Sequence, residues 1–260
     1  MTATPAPPGP PSADPGASAG ATAPAAPRPP RPRRAPAPWW RRPWIGPLAL
    51  VTAAFLVLSL PPYLTLDPAA SRVPLHEGNP LHYPLLIGHI LFGTVALVTC
   101  CLQVWPWLRR RHPAVHRWSG RLYVFAGVLP GAPLALASSI LGQQGLSQQV
   151  GNSVLSLLWF AFAVAGWRAA RRRDFAAHRE WMVRGFALTF SIVANRPWIV
   201  ICTLLALPQL DTVYGGSEAV MVQSVAGASV WLSWLVNLFI AEWWLRRRAR
   251  PARPRRTVRV

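Results

Sequence analysis

The chain has 260 residues, is 52% hydrophobic and carries a formal net charge of +19; all 27 basic residues are arginine. A pI near 11.8 can mark a nucleic-acid binder. Here the arginines cluster beside long apolar runs, as they do at the cytoplasmic flanks of membrane helices, so the expected partner is a lipid bilayer with anionic lipids at its inner face, and not nucleic acid.

Residues 1–43 are Pro, Ala, Gly and Arg, with almost no large apolar side chain before Trp39. Such a segment cannot bury enough surface to offset the entropy of ordering, so it reads as a disordered cytoplasmic tail. It does not read as a signal peptide, because no apolar run follows the start and the first stretch has no basic residues; a cleavable signal formed by the first helix is the alternative, and the region after Pro62 lacks a clear small-x-small site for it.

Six apolar stretches follow, at about 44–62, 84–107, 119–141, 151–169, 183–207 and 219–245. Each is close to the roughly 20 residues that span a bilayer core, and lipid leaves the backbone no partner outside its own helix. The expected fold is all-α: a polytopic membrane bundle of six transmembrane helices over 44–245, with a basic cytoplasmic tail over 246–260.

Arginine sets the orientation. Six precede the first stretch and eight follow the last; five lie at the second connection (Arg109, Arg110, Arg111, Arg117, Arg121) and six at the fourth (Arg168, Arg171, Arg172, Arg173, Arg179, Arg184). The opposite connections hold one, Arg72. This 25-to-1 split predicts a bacterial plasma-membrane protein with both termini cytoplasmic. Trp39, Trp105, Trp118, Trp181 and Trp243 fall near the same face, at the headgroup level that suits indole.

Residues 109–117 read RRRHPAVHR and residues 171–179 read RRRDFAAHR, offset by 62. The match predicts that helices two and three are duplicated as helices four and five. That gives a four-helix core of two parallel hairpin repeats, flanked by helices one and six, with His116 and His178 at one depth. Convergent composition of arginine-rich loops is the alternative. Pro113 argues against a regular helix between His112 and His116.

Two polar stripes follow from helical spacing. His89, Gly93, Ala96, Cys100 and Gln103 share one face of the second helix, where the small residues allow close approach of a neighbour. His89 there either bonds a neighbouring helix or serves a cofactor or proton. The fifth helix carries His178, Arg184, Ser191, Asn195 and Cys202, with Arg196 beside them and Pro197 after. An arginine at mid-span is costly; it either binds an anion or caps the carbonyl that Pro197 frees. Glu242 reads as too far from Arg196 to pair with it. The three cysteines lie in apolar runs without metal-binding spacing and read as small buried residues.

These motifs together resemble a known family. His89-x3-Gly93, Gln103, HRWSGRLYV at 116–124, HREWMVRGFALTF at 178–190 and Arg196 match the bacterial predicted-membrane-protein family labelled domain of unknown function twenty-three-oh-six, over roughly 84–200. The Gly-Pro usual before the glutamine is replaced here by residues 99–102. The family supplies no reaction. A looser similarity, to two-haem cytochromes b, implies haem b ligated by histidines facing across a bundle. His116 and His178 could form one such pair; His89 has no repeat mate, since Gly151 stands 62 residues on, and would need His76 or His82.

Three functions are therefore weighed. The first is haem- or quinone-linked electron transfer, with His89, His116 and His178 as iron ligands, Arg196 on a propionate or quinone oxygen, Gln103 at the same site, and a redox partner. The second is a proton-coupled or small-molecule carrier, with Asn195, Arg196 and Arg184 on a polar path beside His89 and Gln103. The third is a non-catalytic scaffold or lipid-binding protein.

Overall fold

In hydrocarbon every backbone N–H and C=O must be paired within the chain, and this sequence meets the demand with helices. The computed structural model describes residues 44–249 except Glu77, together with Thr4 and Gly9. The expected N-terminal tail and most of the C-terminal one otherwise lie outside the described residues.

The main helices are α1 (Ile45–Ser59), α2 (His82–Gln103), α3 (Pro113–Leu141), α4 (Leu146–Arg171), α5 (Phe175–Thr189), α6 (Ser191–Ala206) and α7 (Glu218–Ala249). Among the described residues, five helices are long and apolar enough to cross a membrane: α2, α3, α4, α6 with the turn through Gln209, and α7. At 15 residues, α1 is shorter, about 22 Å, and one further turn, Pro61–Leu64, extends it. The protein is thus an all-α membrane helix bundle.

Several boundaries differ from the sequence expectation, each for a local reason. Pro113 starts α3 instead of preventing a helix there, because at the first helical position its missing N–H would have been unpaired anyway. His116 therefore lies in the first turn of α3. The expected fifth span begins earlier, at Phe175, where the Asp174 carboxylate caps the Ala177 N–H at 2.9 Å. It is interrupted at Phe190. Near this break the Ser191 hydroxyl bonds the Leu188 carbonyl and the Asn237 amide of α7 bonds the Ala187 carbonyl. At the end of α1, Pro62 leaves the Leu58 carbonyl without its usual donor, and Arg72 supplies one at 2.8 Å.

The core draws on small and aromatic residues from many helices. Ala96 and Cys100 of α2, Tyr123 and Val128 of α3, Trp159 and Ala163 of α4, Leu188 of α5 and Val193 of α6 form one buried cluster. A Cβ on Gly127 would come within 2.9 Å of the Ala96 Cβ, so glycine is what lets α3 approach α2 there. Between Leu122 and Val128, α3 widens to a π-helical turn, with the Leu129 N–H reaching the Val124 carbonyl just before Pro130. One expectation needs revision. The last helix does not merely flank a four-helix core, because Trp234 of α7 is buried in the same cluster.

Candidate functional site

The candidate polar residues separate into places that one sequence face could not resolve. Around the first turn of α3, Gln103 at the end of α2 donates its amide to the His116 carbonyl at 2.8 Å and to the Ser119 hydroxyl at 2.6 Å. Gly120 packs beside that amide, where a Cβ would make an ordinary contact with Gln103 Oε1 at 3.4 Å. Gln103 thus clamps α2 to the start of α3.

The His116 ring is half-buried, and its Nδ1 has no partner among the described residues. Arg109, Arg117 and His178 lie within electrostatic range of it. His178 stands in the first turn of α5 with Nδ1 2.8 Å from the Gly166 carbonyl of α4. A ring nitrogen facing a carbonyl carries a proton, so in the neutral ring Nε2 of His178 is the atom with the lone pair.

His89 shows the same local chemistry at the other end of the bundle. Its Nδ1 lies 3.1 Å from the Gly131 carbonyl of α3, which also leaves Nε2 with the lone pair. Gly131 is 15 residues along α3 from His116, about 20 Å, so His89 does not join His116 and His178. Nor do His76 and His82 complete a pair with it. His82 is buried, its Nδ1 accepts the His76 backbone N–H at 2.9 Å, and it stands two turns before His89 on the same helix.

The stripe on the fifth span divides as well. Arg184 forms a two-pronged ion pair with Glu242 of α7, Nη2 to Oε2 at 3.2 Å, and reaches Glu180 at 3.6 Å. Its guanidinium stacks 4.9 Å from the Trp181 ring centroid. Arg184 therefore ties α5 to α7 and is the partner of Glu242.

Arg196 is exposed on α6 and lies over the Phe55 ring of α1, 5.5 Å from its centroid. Among the described residues it makes no ion pair and does not cap the Val193 carbonyl that Pro197 leaves free. Asn195 beside it is 9% exposed, and its Nδ2 has no partner among the described residues.

A third polar cluster was not foreseen. At the centre of the bundle the Thr189 hydroxyl donates to the Gly185 carbonyl, accepts the Trp159 indole N–H and accepts the Tyr123 hydroxyl, each at 2.8 Å. Tyr123 and Thr189 both fall inside the motifs that carry the family resemblance, but residue spacing gives no sign that three helices meet there. Among the described residues no three metal-ligating side chains gather, and the three cysteines are free thiols.

A bundle of apolar helices with buried hydrogen bonds between them and arginines at their ends defines an integral membrane protein. Residues 86–245 match the family model described as Predicted membrane protein (DUF2306), and the chain belongs to that family. No curated protein and no solved structure matches the chain.

Proposed function

We propose that the protein is a bacterial plasma-membrane electron carrier with six spans, both termini cytoplasmic, and one haem b site between His116 and His178. The observation that carries this reading is the His178 ring: Nδ1 is spent on the Gly166 carbonyl, which orients Nε2 as an iron ligand would be oriented. The partnerless Nδ1 of the half-buried His116 fits the same site, with Arg109 and Arg117 nearby to neutralise propionates. The two histidines stand at matching positions of the RRRHPAVHR and RRRDFAAHR segments, which supports a duplicated hairpin. Such a haem supplies reversible one-electron chemistry. His116 and His178 would hold it through their ring nitrogens, with Arg109 and Arg117 supplying nearby positive charge. A quinone or a redox protein is the exchange partner. The arginine count and the short α1, extended by its extra turn, support the six-span topology.

The test is an absorption spectrum of the purified protein, oxidised and dithionite-reduced. A Soret band that shifts on reduction and is lost in His178→Ala and in His116→Ala sustains the reading. A colourless protein, produced with haem available and folded, overturns it. The carrier reading has one observation in its favour: the buried, partnerless Asn195 amide beside Arg196. It predicts a colourless protein whose substrate flux falls in Asn195→Leu.

A further inference from the structure

The charged ends of α4 and α5 enclose a groove of about 570 Å³. Its lining includes Arg168 in the last turn of α4 and Arg172 at the residue that caps that helix. Phe160, Ala161, Val164 and Ala165, earlier along α4, make the rest of that lining apolar and small. The far side is Trp181, fixed by its contact with Phe162 at 5.4 Å and by the Arg184 guanidinium over its face.

We propose that this groove binds one anionic glycerophospholipid, its phosphate on Arg168 and Arg172 and an acyl chain in the alanine-lined channel. Charge is the first argument. Neither arginine has an acidic partner among the described residues, while Arg184 a short distance away has two. Asp174 also borders the groove, but its carboxylate is held by the Ala177 N–H of its own helix, and two arginines against one carboxylate leave a net positive site. Shape is the second argument. The small residues sit where a chain would run into the bilayer from the headgroup level marked by Trp181 and the arginines. A free phosphate would use the arginines and ignore the channel; a lipid uses both. The proposal depends on the membrane placement alone and not on the haem reading.

The experiment is thermal unfolding of the full chain in phosphatidylcholine nanodiscs with increasing phosphatidylglycerol, paired with native mass spectrometry of retained lipid. Phosphatidylglycerol should stabilise the parent. The half-effect concentration should rise about 30-fold in Arg168→Gln/Arg172→Gln, from two charges near the surface. Ala165→Leu and Ala161→Leu, which fill the channel without changing charge, should also lose the bound lipid. Arg110→Gln/Arg111→Gln removes as much charge elsewhere on that face and should retain it. Equal losses in the two arginine pairs would mean general attraction to a charged surface and overturn the site. Full lipid retention in both alanine variants, or equal stabilisation by inorganic phosphate, would overturn the lipid as its occupant.

Discussion

Thr189→Val keeps the shape of the side chain and removes one hydroxyl, so its cost isolates the hub between α3, α4 and α5. In the parent that hydroxyl uses its whole capacity: one hydrogen to Gly185, two lone pairs to Trp159 and Tyr123. Valine returns the Gly185 carbonyl to its ordinary helical bond but strands an indole N–H and a phenol O–H. Tyr123 is 1% exposed and Trp159 7%, so water cannot replace the lost partner. An unsatisfied buried group costs about 1–3 kcal/mol in a water-soluble core. Side-chain hydrogen bonds between membrane helices average about 0.6 kcal/mol, because the separated helices also find partners in lipid. The second effect sets the scale here, so two stranded donors should cost about 1–3 kcal/mol together. Tyr123→Phe removes one donor and strands nothing, because Thr189 still receives Trp159, so it should cost about 0.5–1 kcal/mol. The assay is reversible unfolding in mixed detergent micelles, with the double variant closing the cycle. Once Thr189 is valine, phenylalanine at 123 should cost nothing further and should restore part of the loss. If Thr189→Val costs no more than Tyr123→Phe, or if the two losses simply add, the hydroxyl is not a hub.

Three further outcomes are expected. Glu242→Gln should destabilise the bundle by about 2 kcal/mol, since it leaves Arg184, only 18% exposed at its side chain, without its two-pronged partner; Arg184→Met/Glu242→Met should recover much of that in the same unfolding assay, and a worse double variant would refute the pairing. Reporter fusions after Pro62, Gly145 and Gly215 should read periplasmic, and those after His112 and Ala176 cytoplasmic; a reversal at either hairpin would break both the six-span topology and the duplicated hairpin. Arg196→Gln should insert and fold and keep the thermal stabilisation that haem and anionic lipids give the parent, because Arg196 lies over Phe55 and not among the residues proposed to hold either; loss of the haem or lipid effect in that variant would refute the placement of those sites.

Much of this protein was legible along the chain because lipid imposes a local rule. A span must be helical and apolar over a fixed length, and that is a property of consecutive residues, so α2, α3, α4 and α7 fall where hydropathy puts them. The small residues Ala96 and Cys100 are likewise buried on the face where the i, i+4 spacing placed them. Helix ends depended on chemistry that hydropathy does not weigh: Pro113 as a starting residue, Asp174 as a cap, and the Phe190 break beside side chains of Ser191 and Asn237. The site was the least legible part. His89, His116 and His178 look alike in sequence, but the turn each occupies and the carbonyl it meets depend on helices packed from distant stretches, and so His89 falls about 20 Å from the other two. Arg184 and Arg196 lie 12 residues apart on one expected span, yet one meets Glu242 from the far end of the chain and the other meets Phe55 near its beginning. Hydropathy and charge along the chain decide what must be buried in lipid. Which polar groups then meet is decided by the packing between helices, because a hydrogen bond needs partners within about 3 Å that sequence distance does not specify.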